Sequence, residues 1–590
     1  MDNLHVQQID EEILNGSRPC GDAALNERYQ SYLLDFSLDN AVVLDSLPGY
    51  CITPLGYNQA VVYFPSDRPF VGSEPEVRYN KVPKCYGLMA TRELEEIGVV
   101  RVQQFPQFAF RGQGTLIGII DTGINLNNPL FLYENGTTKV VRLWDQTDQS
   151  GNKPEGFSYG SEWTGEELDE ILTGRGQESR TLPGDEEGHG TFLAAIAAGR
   201  EDESTGFSGV APDSELVVVK LRQAKQYLRD FYSIEDGVWA CQEDDVILAI
   251  RYILNQAALL IKPVSICLGI GTNMGGHSGT NSLARYISAT SLLPGVSFHI
   301  AAGNEGISGH HYHGRIREGE EYETVDFNVA EGEKGFIMEL WAKSPATFTV
   351  ALLSPGGEYV ERIQLKLNEF RSIRFFPEET VLEIRSFAGE TISGDQVIRM
   401  NFRRPSPGAW RLFVYAAGPG SSSANVALSR EFDIWMPISN FIKEDTFFLN
   451  ADANDTITSP GDSFYSITYT PYDVSNDSLY IRASRGYTRD GRVKPDLTAP
   501  GVSVPLPAPG PGGRPVTRSG SSVAAAFGVG IGALMQEWAF VRGNDLSLNG
   551  QSMRFHLIQG ASRTGPYEYP NREWGYGIVN IYDAFLSLRR

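Results

Sequence analysis

The segment Leu116-Ile117-Gly118-Ile119-Ile120 carries no polar residue on either face and stops abruptly at Asp121-Thr122-Gly123. A strand with one face in water alternates polar and apolar residues, so an unbroken apolar run belongs to a strand covered on both sides. The same texture returns at residues 216–221, at Val264-Ser265-Ile266-Cys267-Leu268-Gly269 and at Val296-Ser297-Phe298-His299-Ile300-Ala301-Ala302-Gly303. Between these runs lie a small-residue stretch, 190–199, and an amphipathic stretch, 246–260, both predicted to be helical. Strand and helix alternating in this order predict an α/β fold, a parallel sheet with helices on both faces. Reactive groups in such sheets gather beyond the carboxyl ends of the strands. Asp121 and Asn304 both stand at such ends.

The chain has 590 residues, too many for one core, so two to four domains are expected. Residues 1–81 read as a small α+β module, with short apolar runs at Tyr32-Leu33-Leu34-Asp35-Phe36, Ala41-Val42-Val43-Leu44 and Ala60-Val61-Val62-Tyr63-Phe64. Pro/Gly-rich turns at Pro65-Ser66-Asp67-Arg68-Pro69 and Gly72-Ser73-Glu74-Pro75 follow it. The α/β texture occupies 82–311 and returns over 446–590. From 312 to 445 the pattern changes to alternation, as in Phe348-Thr349-Val350-Ala351-Leu352-Leu353 and Trp410-Arg411-Leu412-Phe413-Val414-Tyr415. Turns such as Ser354-Pro355-Gly356-Gly357 separate these strands, and the whole reads as an inserted all-β sandwich. Trp341 and Trp410 are expected in its core.

A formal net charge of −23 argues against nucleic acid or an anionic membrane surface as partner. No stretch reads as the roughly twenty apolar residues of a membrane span. The opening MDNLHVQQIDEEILNG has neither a basic nor an apolar region, so no signal peptide is predicted and synthesis in the cytoplasm is expected. The five cysteines, at 20, 51, 85, 241 and 267, show no metal-type spacing and, being odd in number, do not suggest a disulfide framework. His310, His311 and His313 read as a solvated loop.

Four motifs carry chemistry. Gly520-Ser521-Ser522-Val523-Ala524 opens an apolar stretch, 524–534, predicted to be helical. A serine there has its oxygen and N–H at the positive end of the helix dipole, but it is a weak nucleophile without an oriented base. His189, between Gly188 and Gly190-Thr191, is the base candidate, because flanking glycines let other groups approach the imidazole. Asp121 is placed to accept the imidazole Nδ1 proton and hold one tautomer. Asn304, in Ala301-Ala302-Gly303-Asn304-Glu305-Gly306, offers an amide donor to an oxyanion. Each alone has an ordinary structural explanation; Asp, His, Asn and Ser together in this order do not.

These motifs resemble the subtilase (peptidase family S8) serine endopeptidases. Asp121-Thr122-Gly123, Gly188-His189-Gly190-Thr191 and Gly520-Ser521-Ser522-Val523-Ala524 match the family's aspartate, histidine and serine motifs, with Ser521 for the usual Thr and Val523 for the usual Met. Asp490-Gly491-Arg492-Val493-Lys494-Pro495-Asp496-Leu497-Thr498-Ala499-Pro500-Gly501 resembles the family's segment before the serine. The resemblance implies a catalytic triad of Asp121, His189 and Ser522, with Asn304 and the Ser522 N–H as oxyanion hole. It implies a substrate cleft edged by Cys267, Leu268, Gly269 and Gly303, Cys267 standing where the family has Ser. The N-terminal module, the Tyr86-Gly87-Leu88-Met89 segment and the β-insert resemble the Csp-type germination subtilases of spore-forming clostridia. That group implies a jelly-roll insert, a prodomain that chaperones folding, and activation of a spore cortex-lytic zymogen, with incorporation into the spore.

Autoprocessing is then expected within Val77-Arg78-Tyr79-Asn80-Lys81-Val82-Pro83-Lys84-Cys85, an extended stretch after the Pro/Gly turns. The expected partners are a protein or peptide substrate and the cleaved prodomain, and the chain is expected to be a monomer. No cofactor or catalytic metal is implied; the resemblance leaves calcium open, without assignable ligands. Other readings are a housekeeping or regulatory subtilase, a non-catalytic scaffold of the pseudoprotease kind, or a glycan-binding protein working through the β-insert.

Overall fold

The computed structural model describes residues 28–35, 51–56, 59–65, 92–104 and, from 107 onward, all but 176–180, 203, 364–369, 377, 388–389, 391, 417–428, 508–514 and 589–590. The chain divides between Leu88 and Met89 into two compact units. In the first, Tyr29–Asp35, Cys51–Gly56 and Gln59–Pro65 form an antiparallel sheet with the third strand in the middle. Cys51 is disulfide-bonded, a bridge that the odd, scattered cysteines do not suggest, whereas Cys241 and Cys267 are free thiols. The 41–44 run and the expected processing segment lie outside the described residues.

A nine-stranded sheet organises the second unit. Its strands are β1 (Leu116–Asp121), β2 (Val140–Asp145), β3 (Ser161–Thr164), β4 (Glu215–Lys220), β5 (Val264–Leu268), β6 (Val296–Ala301), β7 (Ile467–Asp473), β8 (Ser478–Leu479) and β9 (Leu497–Pro500). The order is β8-β7-β6-β5-β1-β4-β2-β3, with β9 also paired to β7. Pairing is parallel except at the two edges, where β3 runs against β2 and β8 against β7. The sheet is therefore mixed, where the apolar runs predict a purely parallel one. Short, partly exposed edge strands do not carry the fully apolar signature of central ones.

The two covered faces are visible in the alternation along β1. Ile117 and Ile119 pack with α1 (His189–Ala198) and α4 (Ser521–Gln536), whereas Leu116 and Ile120 pack with α2 (Glu243–Leu260) and α3 (Ser282–Thr290). Both sides demand apolar residues, each worth about 1.5–3 kcal/mol when buried, and this is why the run has no polar position. All residues of α4 are buried. With its π-helical continuation it makes a 21-residue helix, Ser521–Val541, long and apolar enough to cross a membrane. This corrects the reading that no stretch qualifies; 89% of the apolar window is buried inside the protein, the mark of a core helix.

Between β6 and β7 the chain makes two antiparallel sheets, of six and five strands, running from His311 to Phe448. Their inner faces share one apolar cluster, in which Phe327 and Trp410 of one sheet meet Phe402 of the other at ring separations of 5.8 and 5.6 Å. The insert leaves and rejoins the α/β body at one place, where Phe448 N–H donates to Gly309 O and Asp452 N–H to His311 O (2.8 and 2.9 Å). His310 and His311 are buried, not solvated. His310 Nδ1 meets Glu305 Oε2 at 2.7 Å, and His311 Nε2 and His313 Nδ1 share Asp433 Oδ1 at 3.2 and 2.8 Å. The polar string His310-His311-Tyr312-His313 reads as loop because Asp433, the partner of His311 and His313, is supplied by a distant stretch of chain.

Candidate active site

β1 delivers Asp121 at its carboxyl end, 1% exposed. The Thr122 N–H donates to Asp121 Oδ1 (2.8 Å), and His189 Nδ1 lies 2.7 Å from the same oxygen. His189 is the first residue of α1, reached through Gly188 in the left-handed region at φ 66°. Gly190 is equally constrained, since a Cβ there would lie 2.3 Å from Gly123 O and 3.0 Å from Asp121 Cβ. Only glycine lets α1 start this close to the β1 end.

Ser522 lies in the first turn of α4, and its Oγ is 3.0 Å from His189 Nε2. Three motifs, 68 and 333 residues apart, thus converge as a continuous Asp–His–Ser chain of contacts. Asn304 stands just beyond β6. Its Oδ1 accepts the Ser521 N–H (3.0 Å), which fixes the orientation of the side-chain amide. A Cβ built on Gly520 would lie 3.3 Å from Asn304 Nδ2 and 3.7 Å from Ser522 Oγ, so both groups border the same point. The Ser522 N–H belongs to a first helical turn, whose N–H groups have no intrahelical acceptor. A carbonyl oxygen held near that point has two donors within reach.

A family model described as the subtilase family matches residues 112–329 and 384–577, more than half of the chain. The chain belongs to the subtilase family. Among curated proteins this subtilase is similar to a subtilisin of Bacillus sp. (strain TA39), 28% identical over 195 residues, and to thermitase of Thermoactinomyces vulgaris, 27% identical over 201. The matches cover 33% and 34% of this chain and span 35% and 51% of those relatives. Among solved structures it is similar to the CspB protease of Clostridium perfringens, with a TM-score of 0.73 and 26% identity over 85% of this chain and 98% of that one.

Electrostatics in the subtilase site follow from the contacts. Burial pushes the Asp121 carboxyl up, but the His189 imidazole and the Thr122 hydrogen bonds outweigh it and hold the group below its ordinary range. Burial pushes His189 down, yet the Asp121 charge and hydrogen bond win and raise it above the ordinary imidazole value. The residues named for the cleft divide. Gly269 borders the nucleophile, a Cβ there lying 3.1 Å from both Ser522 Cβ and His189 Cε1. The Cys267 and Leu268 side chains are buried on opposite faces of the sheet and leave only their backbone near the cleft. Gly303 donates its N–H to Ser521 Oγ (3.0 Å).

Two residues support the triad: Asp185, which carries no signal of its own in the sequence, and Ser521 of the serine motif. Asp185 Oδ2 accepts from the N–H and hydroxyl of Thr191 (2.8 and 2.6 Å), and its Oδ1 from the Thr122 hydroxyl and Gly188 N–H (2.7 and 2.9 Å). It therefore ties the aspartate motif to the histidine motif. Ser521 ties the helix start to the Gly303-Asn304 stretch, through a hydroxyl that the usual Thr would also supply. Among the described residues no three His, Cys, Asp or Glu side chains are arranged to hold a metal ion, so no residues are assigned to calcium.

Proposed function

We propose that this subtilase is a serine endopeptidase acting through an acyl-enzyme. The observation that carries the reading is the chain of contacts Asp121–His189–Ser522, at 2.7 and 3.0 Å. His189, neutral, takes the Ser522 proton as Oγ attacks the scissile carbonyl, and Asp121 fixes the imidazole with Nε2 facing the serine. Asn304 Nδ2 and the Ser522 N–H receive the developing oxyanion. The imidazolium then gives its proton to the leaving amine, and water repeats the sequence on the ester. The acid chemistry is therefore done by one histidine in two protonation states.

The substrate is a protein or peptide, lying extended along the Gly269 edge of the cleft by adding a strand. The module before residue 82 serves as a prodomain, removed by one self-cleavage in the 77–85 segment, and we read the inserted sandwich as a jelly-roll module. Activation of a spore cortex-lytic zymogen is the finer reading, resting on the Csp-type resemblance and on the likeness to the CspB protease. Labelling with a fluorophosphonate tests the chemistry: wild type is expected to take one label per chain and Ser522→Ala none. Equal labelling of both would refute it. A wild type without label would favour the scaffold reading.

A further inference from the structure

Two backbone walls flank Ser522, one running from Gly269 to Gly271 and the other through Ala302 and Gly303. The chain returns between them after the insert, as Ile457-Thr458-Ser459-Pro460. Thr458 N–H donates to Ala302 O at 2.9 Å on one side, and Ser459 exchanges two 2.9 Å bonds with Thr272 on the other. This segment is strung across the gap and forms its floor.

The Thr458 side chain fills the space above that floor. A Cβ built on Gly271 would lie 2.4 Å from Thr458 Oγ1 and 2.9 Å from Thr458 Cβ. One built on Gly303 would lie 2.7 Å from Thr458 Cγ2 and 2.8 Å from Thr458 Oγ1, with Ser484 Oγ at 2.6 Å behind it. One side chain thus touches both walls at once, and at neither is there room for a single methyl. The residue is 4% exposed, and its hydroxyl also donates to Ala302 O (3.3 Å), which fixes the rotamer. Gly269 borders Ser522 and Gly303 precedes Asn304, so the gap between the walls opens beside the nucleophile and the oxyanion donor, where the side chain of the residue before the cleaved bond (P1) would meet Thr458.

Resting on the endopeptidase reading, we propose that Thr458 sets the specificity of this subtilase and confines P1 to compact side chains, excluding aromatic residues, leucine, lysine and arginine; within the 77–85 segment Val77, Asn80 and Cys85 meet that limit. Shape does the selecting, since Thr458 presents a methyl and an already engaged hydroxyl and offers no charge to a basic or acidic residue. A side chain with one methylene too many for a pocket costs roughly 10–200-fold in discrimination, and leucine or phenylalanine exceeds alanine by several carbons.

The test uses the full chain and fluorogenic tetrapeptides that differ only at P1, beside fluorophosphonate labelling of Ser522. Wild type is expected to favour Ala over Phe by about 100-fold or more in kcat/KM. Thr458→Gly should raise the Phe substrate at least about tenfold and collapse that ratio, with Thr458→Ala intermediate. Thr458→Val keeps the shape without the hydroxyl and should keep the ratio. Should Thr458→Gly not fold, Thr458→Ala carries the same readout. A wild type that labels on Ser522 yet cleaves after Phe or Leu as readily as after Ala overturns the proposal and leaves the endopeptidase reading standing. So does a ratio unmoved in a labelled Thr458→Gly or Thr458→Ala variant. A wild type that takes no label overturns both.

Discussion

Removing the Ser522 hydroxyl takes away one oxygen and no packing volume of consequence. Ser522→Ala is therefore expected to keep the wild-type thermal transition while turnover falls on the order of a million-fold. Activity within tenfold of wild type would exclude Ser522 as nucleophile. Its neighbour is a different case. Ser521→Ala leaves the Gly303 N–H buried without its acceptor, a penalty of about 1–3 kcal/mol, and loosens Asn304 through the same turn. Lower stability and a roughly tenfold loss of kcat are expected, a far milder effect than at Ser522. The pH profile adds a check. Catalysis needs His189 neutral, and Asp121 raises the folded-state value of the imidazole. The acid limb of kcat/KM should therefore have its midpoint above the ordinary value of about 6.5, activity falling as pH drops through it. A midpoint below that value would mean that Asp121 does not hold the charged imidazole. These groups are legible in the sequence because each sits in a short motif whose neighbours are themselves part of the geometry. Thr458 is not, because the walls it fills lie on the far side of the insert and no local pattern joins them.

Elements show the same division. The central strands and α1, α2 and α4 follow from apolar runs and periodicity, since both faces of the sheet are covered. The edge strands β3 and β8, of four and two residues, are too short to carry a period, and the paired histidines of the insert, His311 and His313, depend on a partner far along the chain. One such pair yields a measurable consequence. The hydrogen bond that the His313 imidazole makes to Asp433 raises His313, with burial opposing it, while Asp433 is pushed up by burial but held well down by His311 and His313. The Asp433 contribution to stability is complete above the ordinary carboxyl value of about 3.9 and is lost as pH falls through the depressed one. The His313 contribution is complete below about 6.5 and fades as pH rises through the raised value. The pair therefore stabilises the insert most between about pH 4 and 6.5. Wild type should lose more Tm between pH 6 and pH 9, taken as about half a unit below and well above that imidazole value, than His313→Gln does. Parallel Tm curves for the two proteins would show that the pair does not couple to stability.

For the molecule as a whole, the proposed self-cleavage is the decisive test. If wild type cuts itself within 77–85 it should yield fragments of roughly 9 and 56 kDa at about 110 Da per residue, whereas Ser522→Ala should remain one chain. An uncut wild type that hydrolyses peptides would refute the processing and leave the triad in place. The two-unit division and the inserted sandwich are legible from changes of texture along the sequence; the disulfide at Cys51 is not, because pairing is a matter of distance and not of spacing. The wholly buried α4 also carries a meaning for safety. A helix of Ala, Gly and Val that touches strands from both halves of the chain has nothing to pack against until β5, β6 and β7 have assembled, and Ser522 rides on its first turn. The nucleophile therefore comes within reach of its histidine only when α4 has packed at the centre of the body. A copy whose core has not formed holds the sequence motifs without their geometry, so the core helix works as an interlock that arms the protease only with the folded body.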